Sequence, residues 1–557
     1  MLNVMMSLSN YCRSIFLVEL KMIDIKYHPP KSSLKGGFFA SPLEGRTRGV
    51  ITILLSFITV ISFAQKTSQI EILNANSLEF DETLGSKAKR LIGNVQFKHD
   101  DALMFCDSAY FYSESNSMDA YGHVRITQGD SLQLFGDSLN YSGVTKKALL
   151  RGNIKLINTD VTLTTNYLDY DRANNVAYYF GGGTLVSKKE NNTLTSKQGY
   201  YYPDAKSFFF KDKVFLSNPE YKINCDTMQF NSSSKVASFF GPTTITNKDN
   251  YIYCENGWYN TQTDVSNFFK NAYLYSDKKI IQGDTLYYEK KTGYGEIKCN
   301  GSITDTVENI ILQGDLIRLF QQKDSVMITK EALLKQIFKD DTLFMHADTF
   351  KLSTQLKKND SIPNQTDTIR NLFAYNRVKF YKTDMQGKAD SVLYNFSDST
   401  VNFYNDPVIW SDENQLTADF IYLLMKDKKI NSIYLNNNAF IISKADSLFE
   451  HFNQVKGDSM IGYFKGDELH KIEVMQNAET IYYGRDDAGK YIGVNKAKGN
   501  NMLIFIDDSK LSSLTFIKDP TATLYPIKEP SPKDVTLKGF NWRVNQRPKN
   551  KFDIFIW

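Results

Sequence analysis

The sequence predicts an all-β protein built from stacked repeats of about 30 residues, with two strands in each repeat. Two observations predict this class. A residue type that tolerates a positive φ angle recurs eight times at intervals of 29 or 30 residues. Short segments of alternating apolar and polar residues follow it, in a chain with 33 tyrosines and 38 phenylalanines but only 13 prolines. Aromatic side chains favour half-buried strands.

The recurring position predicts a sharp corner in the backbone. Glycine adopts a positive φ angle without steric cost, and asparagine and aspartate tolerate it better than most residues. We therefore expect the chain to turn once per repeat at this position. The position is occupied by Gly93, Gly122, Gly152, Gly182, Asp212, Gly241, Asn271 and Gly301.

The first strand of each repeat is predicted directly after the corner. Residues two and four positions later are mostly apolar and those between them are mostly polar, a period of two that indicates one buried face. The same pattern resumes at Asn376 after an interruption. The predicted buried-face residues are Val95, Phe97, Val124, Ile126, Ile154, Leu156, Val214, Leu216, Tyr273, Tyr275, Val378 and Phe380.

A second strand is predicted half a repeat later, starting at acidic residues such as Asp107, Asp137, Asp226 and Asp284. Units of this kind cannot bury an apolar face alone, so we expect them to stack, with strands about 4.8 Å apart. The product is an elongated β structure in which two facing sheets enclose a slot. From the pattern alone, this slot is either a packed core or an open groove.

The repeats also divide the chain. Residues 1–64 read as a leader, in which residues 46–64 combine two arginines, an apolar stretch and small residues before a cleavage site after Ala64, as in a secretory signal peptide. An uncleaved anchor is the alternative. A first array is predicted over residues 65–330, an irregular repeat with an insertion over 331–370, a second array over 371–483, and a loop-rich C-terminal module over 484–557.

The charge balance argues against a nucleic-acid partner. Residues 1–65 carry seven basic and three acidic residues, which leaves 59 of each sign in the remainder. A protein that neutralises phosphates needs a basic surface. The sequence also contains no GxSxG, P-loop or HExxH motif, and its six histidines are scattered. His99 and His123 lie near predicted strand ends, where we expect exposed or turn residues. We therefore expect no enzyme activity, no cofactor and no metal.

The corner, the strand that starts with aspartate, the repeat length and the export signal together resemble the OstA-like, or LptA-type, proteins of lipopolysaccharide transport. The resemblance covers residues 70–330 well and 371–483 less regularly. It implies a β-jellyroll folded like a taco, whose apolar groove carries the acyl chains of lipopolysaccharide through the periplasm towards the outer membrane. The twelve buried-face residues above would line this groove.

The resemblance also implies partners. Copies of the chain, or other proteins of the transport pathway, would join end to end through exposed strand edges, and the C-terminal module could dock on an outer-membrane translocon.

Two other interpretations of the repeats remain open. A structural or adhesive solenoid associated with the outer membrane would stack in the same way without carrying lipid. An outer-membrane β-barrel also has alternating strands, although its strands need about 9 to 11 residues, whereas the half-repeats here predict about five to eight. The carboxylates Asp107, Asp226, Glu255 and Asp315 recur near mid-repeat. A turn role is favoured for them over a calcium ladder.

Overall fold

The computed structural model describes the chain from residue 68 onward, except for residues 81–87, 129–131, 158–160, 172, 188–190, 277, 359–365, 427–428, 447–450, 467, 487, 508–509, 529–530 and 532. The predicted leader, residues 1–64, lies outside the described residues. The described chain forms two compact units. The N-terminal unit contains the residues up to Pro219 and Asn224–Ala237, and the C-terminal unit contains Glu220–Ile223 and Ser238–Trp557.

The N-terminal unit is made of β-strands, and every pairing quoted below is antiparallel. Its strands are β1 (Glu71–Asn74), β2 (Ser77–Phe80), β3 (Ala88–His99), β4 (Ala102–Tyr112), β5 (Ser117–Gln128), β6 (Leu132–Ser142), β7 (Lys147–Ile157), β8 (Val161–Asp171), β9 (Val176–Tyr179), β10 (Gly183–Ser187), β11 (Asn192–Ser196), β12 (Gln198–Tyr202), β13 (Ser207–Ser217) and most of β14 (Lys222–Asn231).

The C-terminal unit is built in the same way, with single turns of 3-10 helix at Gln321–Lys323, Val544–Gln546 and Asp553–Phe555. Its strands are most of β15 (Val236–Thr246), β16 (Asn250–Asn260), β17 (Val265–Ser276), β18 (Lys279–Glu289), β19 (Tyr294–Asp305), β20 (Ile310–Phe320), β21 (Ser325–Thr329), β22 (Leu333–Ile337), β23 (Thr342–His346), β24 (Thr349–Lys358), β25 (Thr366–Tyr375), β26 (Val378–Tyr381), β27 (Met385–Ala389), β28 (Ser391–Asn395), β29 (Thr400–Tyr404), β30 (Val408–Ser411), β31 (Asn414–Thr417), β32 (Phe420–Lys426), β33 (Lys429–Lys444), β34 (Phe452–Lys465), β35 (Glu468–Met475), β36 (Ala478–Arg485), β37 (Tyr491–Gly499), β38 (Asn501–Asp507), β39 (Lys510–Ile517) and β40 (Thr521–Tyr525).

Strands such as β3 and β4 change register at mid-length, at a corner, and so contribute to two sheets. The β3–β4 pair shows the arrangement, because its register shifts between Ile92 and Val95. We call the sheet formed by the strand halves before the β3 corner the first arm and the sheet after it the second arm. The ring centroids of Phe97 in the second arm and Phe111 in the first arm lie 6.1 Å apart. The two arms therefore face each other across a shared interior.

The predicted corners are confirmed at seven of the eight positions, which have positive φ angles. Gly93 has φ 77° and is followed by Asn94 at φ 51°, and Gly152 and Asn153 repeat the pair with 75° and 45°. The prediction is wrong at Gly301. There the corner lies on Cys299 and Asn300, with φ angles of 56° and 54°.

A carboxylate on the preceding strand accepts a hydrogen bond from the second corner residue. Asp137 Oδ2 accepts from Asn153 Nδ2 at 2.8 Å, and Glu255 Oε1 accepts from Asn271 Nδ2 at 2.7 Å. The mid-repeat carboxylates at these corners therefore bridge neighbouring strands. The described part of the chain contains no group of three or more histidine, cysteine or acidic side chains that could hold a metal ion.

Two stretches depart from the regular repeat. Strands β24 and β25 pair over ten positions, whereas β25 pairs with β28 over only four, so this hairpin extends beyond its neighbours. It accounts for the wider spacing between the corners at Glu331 and Asn376. The loop-rich segment begins after Tyr525 and not at residue 484 as the composition predicts, because residues 491–525 form four more strands. The predicted all-β class, a jellyroll of stacked two-strand repeats, is confirmed within each unit.

Candidate functional site

The interior of the N-terminal unit contains a continuous row of apolar side chains, one from each strand of the second arm. Strand register places these residues directly opposite one another from one strand to the next, and so on the same face. We call this set the N-terminal inner row. Its members are Phe97, Met104, Ile126, Leu134, Leu156, Leu163, Leu185, Leu194 and Leu216.

The structure brings most of the predicted buried-face residues into these interiors. Val95, Phe97, Val124, Ile154, Val214 and Leu216 are at most 1% exposed in the N-terminal unit, and Val378 and Phe380 are 0% and 4% exposed in the C-terminal unit. Ile126 and Leu156 face the same interior but are only half-buried. Whether these side chains contact lipid stays a prediction.

Two of the predicted residues, Tyr273 and Tyr275, lie on the wrong face. The corner of this repeat occupies Lys270 and Asn271, one residue earlier than the glycine spacing predicts. Because the side-chain period of a strand is two, a shift of one residue exchanges the faces. Ala272 and Leu274 are therefore buried, at 1% and 2% exposure, whereas Tyr275 is 45% exposed.

The sequence reasoning missed the contribution of the second strand of each repeat. Met104, Leu134 and Leu163 precede the mid-repeat position of β4, β6 and β8, and each lies opposite a predicted residue. The signal was present in β8, where residues 161–164 alternate between apolar and polar, and in part in β6, but not in β4, where residues 102–106 are all apolar. The second strand of each repeat therefore supplies about half of the row.

The N-terminal inner row is most accessible at its centre. Ile126, Leu134 and Leu156 are adjacent in register and all half-buried. On either side the row closes, since Met104 is 4% exposed and Leu163 is 7% exposed. Water therefore reaches three neighbouring aliphatic side chains in part, in a row whose other members are buried.

A hydrogen bond joins the two arms of the N-terminal unit. His99 Nδ1 and Tyr141 Oη lie 2.6 Å apart, and His99 Nε2 lies 2.6 Å from Ser68 Oγ. His99 is only 2% exposed. The expectation of an exposed or turn position for His99 is therefore wrong, because its ring packs edge-on against Tyr141 across the interior. His123 is exposed, and its hydrogen bond to Asp107 raises the pKa of the imidazole.

The C-terminal unit has its own inner row, which we call the C-terminal inner row. Ile252, Leu274, Ile281, Ile303, Leu312 and Leu334 lie opposite one another on successive strands. All of them are at most 7% exposed. The interior of this unit is therefore more completely filled than the centre of the N-terminal inner row.

Polar side chains form a second row two residues further from the corners of the C-terminal unit. We call it the polar rim, and its members are Asn250, Ser276, Lys279, Asp305 and Gln336. Lys279 Nζ lies 3.9 Å from Asp305 Oδ2. Both side chains are almost fully buried, so their charges are compensated locally. The buried side chains thus change from aliphatic to polar over two residues of each strand.

Among the described residues, Cys106, Cys225 and Cys254 are buried, whereas Cys299 is exposed. Burial raises the pKa of Cys106 to about 11 and that of Cys254 to about 12. High pKa values make Cys106 and Cys254 poor nucleophiles at neutral pH.

Stacked two-strand repeats, corners with positive φ angles and an apolar interior together define the class: a β-jellyroll with an apolar inner row. Residues 67–226 match the model of the family described as OstA-like protein, and the resemblance is confirmed over this segment. No curated protein matches the chain. A similar solved structure is described as LptH, the LptA-homologous periplasmic component of the lipopolysaccharide transport device of Pseudomonas aeruginosa. It is 17% identical, the match covers 25% of this chain and 82% of that one, and the TM-score is 0.14.

Among the described residues, no helix has the length and apolar character that a transmembrane helix requires.

Proposed function

We propose that the protein binds the acyl chains of lipopolysaccharide in its apolar interior and acts as a periplasmic bridge towards the outer membrane. The match to the OstA-like family over residues 67–226 supports this proposal. The N-terminal inner row supports it physically, because burying a methylene group is worth about 0.8 kcal/mol. A row of aliphatic side chains can therefore retain a lipid tail without a polar contact.

The half-buried centre of the N-terminal inner row carries the proposal. Ile126, Leu134 and Leu156 are the members that an acyl chain reaches with the least displacement of other side chains. Parting the arms further costs the hydrogen bond between His99 and Tyr141. We expect a tail to enter between the arms at these three residues and to extend along the row.

The polar rim supports an amphiphilic ligand. Its position next to the C-terminal inner row matches a molecule with apolar tails and a polar head. Within the described part of the chain, Ser276 Oγ is buried without a hydrogen-bond partner. A buried hydroxyl of this kind is costly unless a partner completes it, and a ligand head group would supply one.

End-to-end pairing of this protein with itself or with other transport proteins is part of the proposal. Strands β1 and β2 pair only with β3 among the described residues, so each leaves one edge without a strand. Leu73, Leu78 and Phe80 on these strands are 50%, 55% and 60% exposed. An open edge with exposed apolar side chains is the feature that strand addition uses. Docking on an outer-membrane translocon belongs to the same proposal.

Site-specific photocrosslinking tests the proposal. A photoreactive residue at Ile126 or Leu134 is expected to label lipopolysaccharide in cells, and one at Lys155, which is exposed on the opposite face of β7, is expected to label little. The crosslinked species is identified by mass spectrometry. Equal labelling at Lys155 and Ile126, or no lipid at either, would reject the interior as the binding site.

The nearly complete burial of the rest of the interior favours a second candidate, a structural solenoid without lipid. Most members of both inner rows are at most 7% exposed, as in a packed core. The same crosslinking decides between the two functions, because a structural core predicts no lipid adduct at Ile126. Thermal stability that is unchanged by added lipopolysaccharide would agree with the structural role.

A further inference from the structure

The segment that follows β40 returns over the outer face of the C-terminal unit. We call residues 535–557 the terminal segment. Three buried glutamines on β27, β31 and β34 hold it. Gln386 Oε1 accepts from Arg547 Nε at 2.7 Å, and Gln415 donates to Asn541 O at 2.7 Å. Gln454 donates to Val535 O at 3.0 Å and accepts from Leu537 N at 2.9 Å.

Apolar contacts and an ion pair fix the same segment. Leu537 is 3% exposed and packs in one cluster with Phe440, Ile481 and Val494 of the sheet. Arg543 makes a two-pronged contact with both carboxylate oxygens of Asp406. Paired guanidinium and carboxylate groups of this kind are strong and directional. The terminal segment is therefore bound along its length and presents its end in a defined position.

The end of the segment exposes large apolar side chains. We call residues 549–557 the apolar tip. Phe552, Ile556 and Trp557 are 69%, 67% and 53% exposed, and Phe555 is 37% exposed. Ile554, between these residues, is 1% exposed and so is buried against the rest of the unit. Soluble proteins rarely group this many exposed apolar side chains within a few residues unless they contact another surface.

Positive charge surrounds the apolar tip. Lys549 and Lys551 are exposed on it. Lys388 Nζ lies 4.8 Å from the ring centroid of Trp557, and Lys379 Nζ lies 5.7 Å from it. Burial is the main cause that lowers the pKa of both Lys379 and Lys388, and a neighbouring cation adds to it in each case.

The apolar tip also contains one acidic residue, Asp553. Asp553 accepts hydrogen bonds from Lys549 N at 2.8 Å and Asn550 Nδ2 at 3.0 Å. These hydrogen bonds hold the Asp553 carboxylate within the turn that shapes the tip. The outward surface combines aromatic and aliphatic groups with lysines.

We propose that the apolar tip docks on the surface of a bilayer that contains anionic phospholipid. Tryptophan and phenylalanine partition to the level of the head groups, and lysines beside them attract anionic lipids. The charge complementarity favours this partner over a nucleic acid, since bases would require a longer basic track than two exposed lysines. This inference is independent of lipid binding in the interior.

Vesicle flotation with the full chain tests the inference. The anionic vesicles contain phosphatidylcholine with about 30 mol% phosphatidylglycerol, which gives a moderately negative surface potential. They are expected to bind the protein, and vesicles of pure phosphatidylcholine are expected to bind at least about tenfold less of it. The double variant Phe552→Ser/Ile556→Ser is expected to lose most of the binding.

A matched control removes the same amount of exposed apolar surface elsewhere in the unit. Ile492 and Leu524 are 63% and 66% exposed, so Ile492→Ser/Leu524→Ser is expected to bind vesicles as the parent does. The charge variant Lys549→Glu/Lys551→Glu is expected to weaken binding to anionic vesicles about tenfold or more. Circular dichroism and melting temperature establish that each variant folds.

Three results would overturn the inference. The first is equal binding to neutral and anionic vesicles, with no change in binding when about 0.5 M salt is added, well above the roughly 0.15 M physiological ionic strength. The second is equal loss in the tip and control variants. The third is absence of vesicle binding by the folded parent, including the case in which the tip instead captures a purified protein partner.

Discussion

Replacing Leu156 by aspartate is the most direct perturbation of the N-terminal inner row. Leu156 is half-buried and lies opposite Leu134 and Leu163. Removing its apolar contacts costs about 1 kcal/mol at half burial. A carboxylate without a partner beside aliphatic groups adds about 1 to 3 kcal/mol. The expected loss is about 2 to 4 kcal/mol in the free energy needed to open these strands locally.

Amide hydrogen exchange of the full chain measures this loss locally. Since 1.4 kcal/mol corresponds to a factor of ten, exchange in strands β6 to β8 is expected to accelerate about 30-fold to 1,000-fold. The control is Lys155→Asp on the adjacent outward position, which is expected to change exchange by less than about threefold.

The effect should also depend on pH. A carboxyl group at residue 156 would have its pKa raised by burial, so the folded state would bind the proton more tightly than the unfolded state. The destabilisation is therefore largest above the raised folded-state pKa and shrinks as the pH falls below it. Equal exchange rates for Leu156→Asp and Lys155→Asp at neutral pH would refute the assignment of Leu156 to the interior.

Three further predictions test the corners, the thiols and the exposed histidine. Gly152→Val is expected to lower the melting temperature by several degrees more than Gly152→Asn. In both variants the added Cβ atom would lie 2.3 Å from Asp137 Oδ2, but only the β-branched valine also strongly resists a positive φ angle. Equal melting temperatures would contradict the strained corner. Brief maleimide treatment of the native protein is expected to label Cys299 and to leave Cys254 unlabelled, as measured by peptide mass spectrometry. Rapid labelling of Cys254 would show that this thiol is not buried in solution. In an NMR titration the pKa of His123 is expected to lie above its ordinary value and to fall in Asp107→Asn. The pair of His123 and Asp107 stabilises the fold below the ordinary histidine pKa, and this stabilisation is lost as the pH rises through the raised pKa. An unchanged pKa of His123 in the variant would refute the contact.

The repeat and its corners could be predicted from local chemistry. A positive φ angle restricts a position to few residue types, so the constraint is written into the sequence wherever the corner occurs. Gly93 and Gly152 show this directly. The exact position was less certain, because corners span two residues with positive φ angles. At Asn271 the spacing marks the second of the two, and that difference of one residue placed Tyr273 and Tyr275 on the wrong face.

The candidate site could be predicted only in part. Alternation identified Val95, Phe97 and Ile126 as interior residues, because burial of one strand face leaves a period of two. It could not reveal that Ile126 and Leu156 are more accessible than Phe97, since accessibility depends on how closely the opposite arm packs. It also placed His99 at an exposed or turn position, whereas the partner that buries this ring, Tyr141, is 42 residues away.

The sequence by itself determined the all-β class, the length of the repeat and the residue types at its corners, because each of these follows from forces that act within a few residues. The tertiary structure alone decided which interior positions remain open, which polar groups meet across the arms, and where the terminal segment lies. The glutamines at 386, 415 and 454 look like ordinary strand residues in the sequence. They become a single binding surface only because strand pairing aligns them beneath a segment that is distant along the chain.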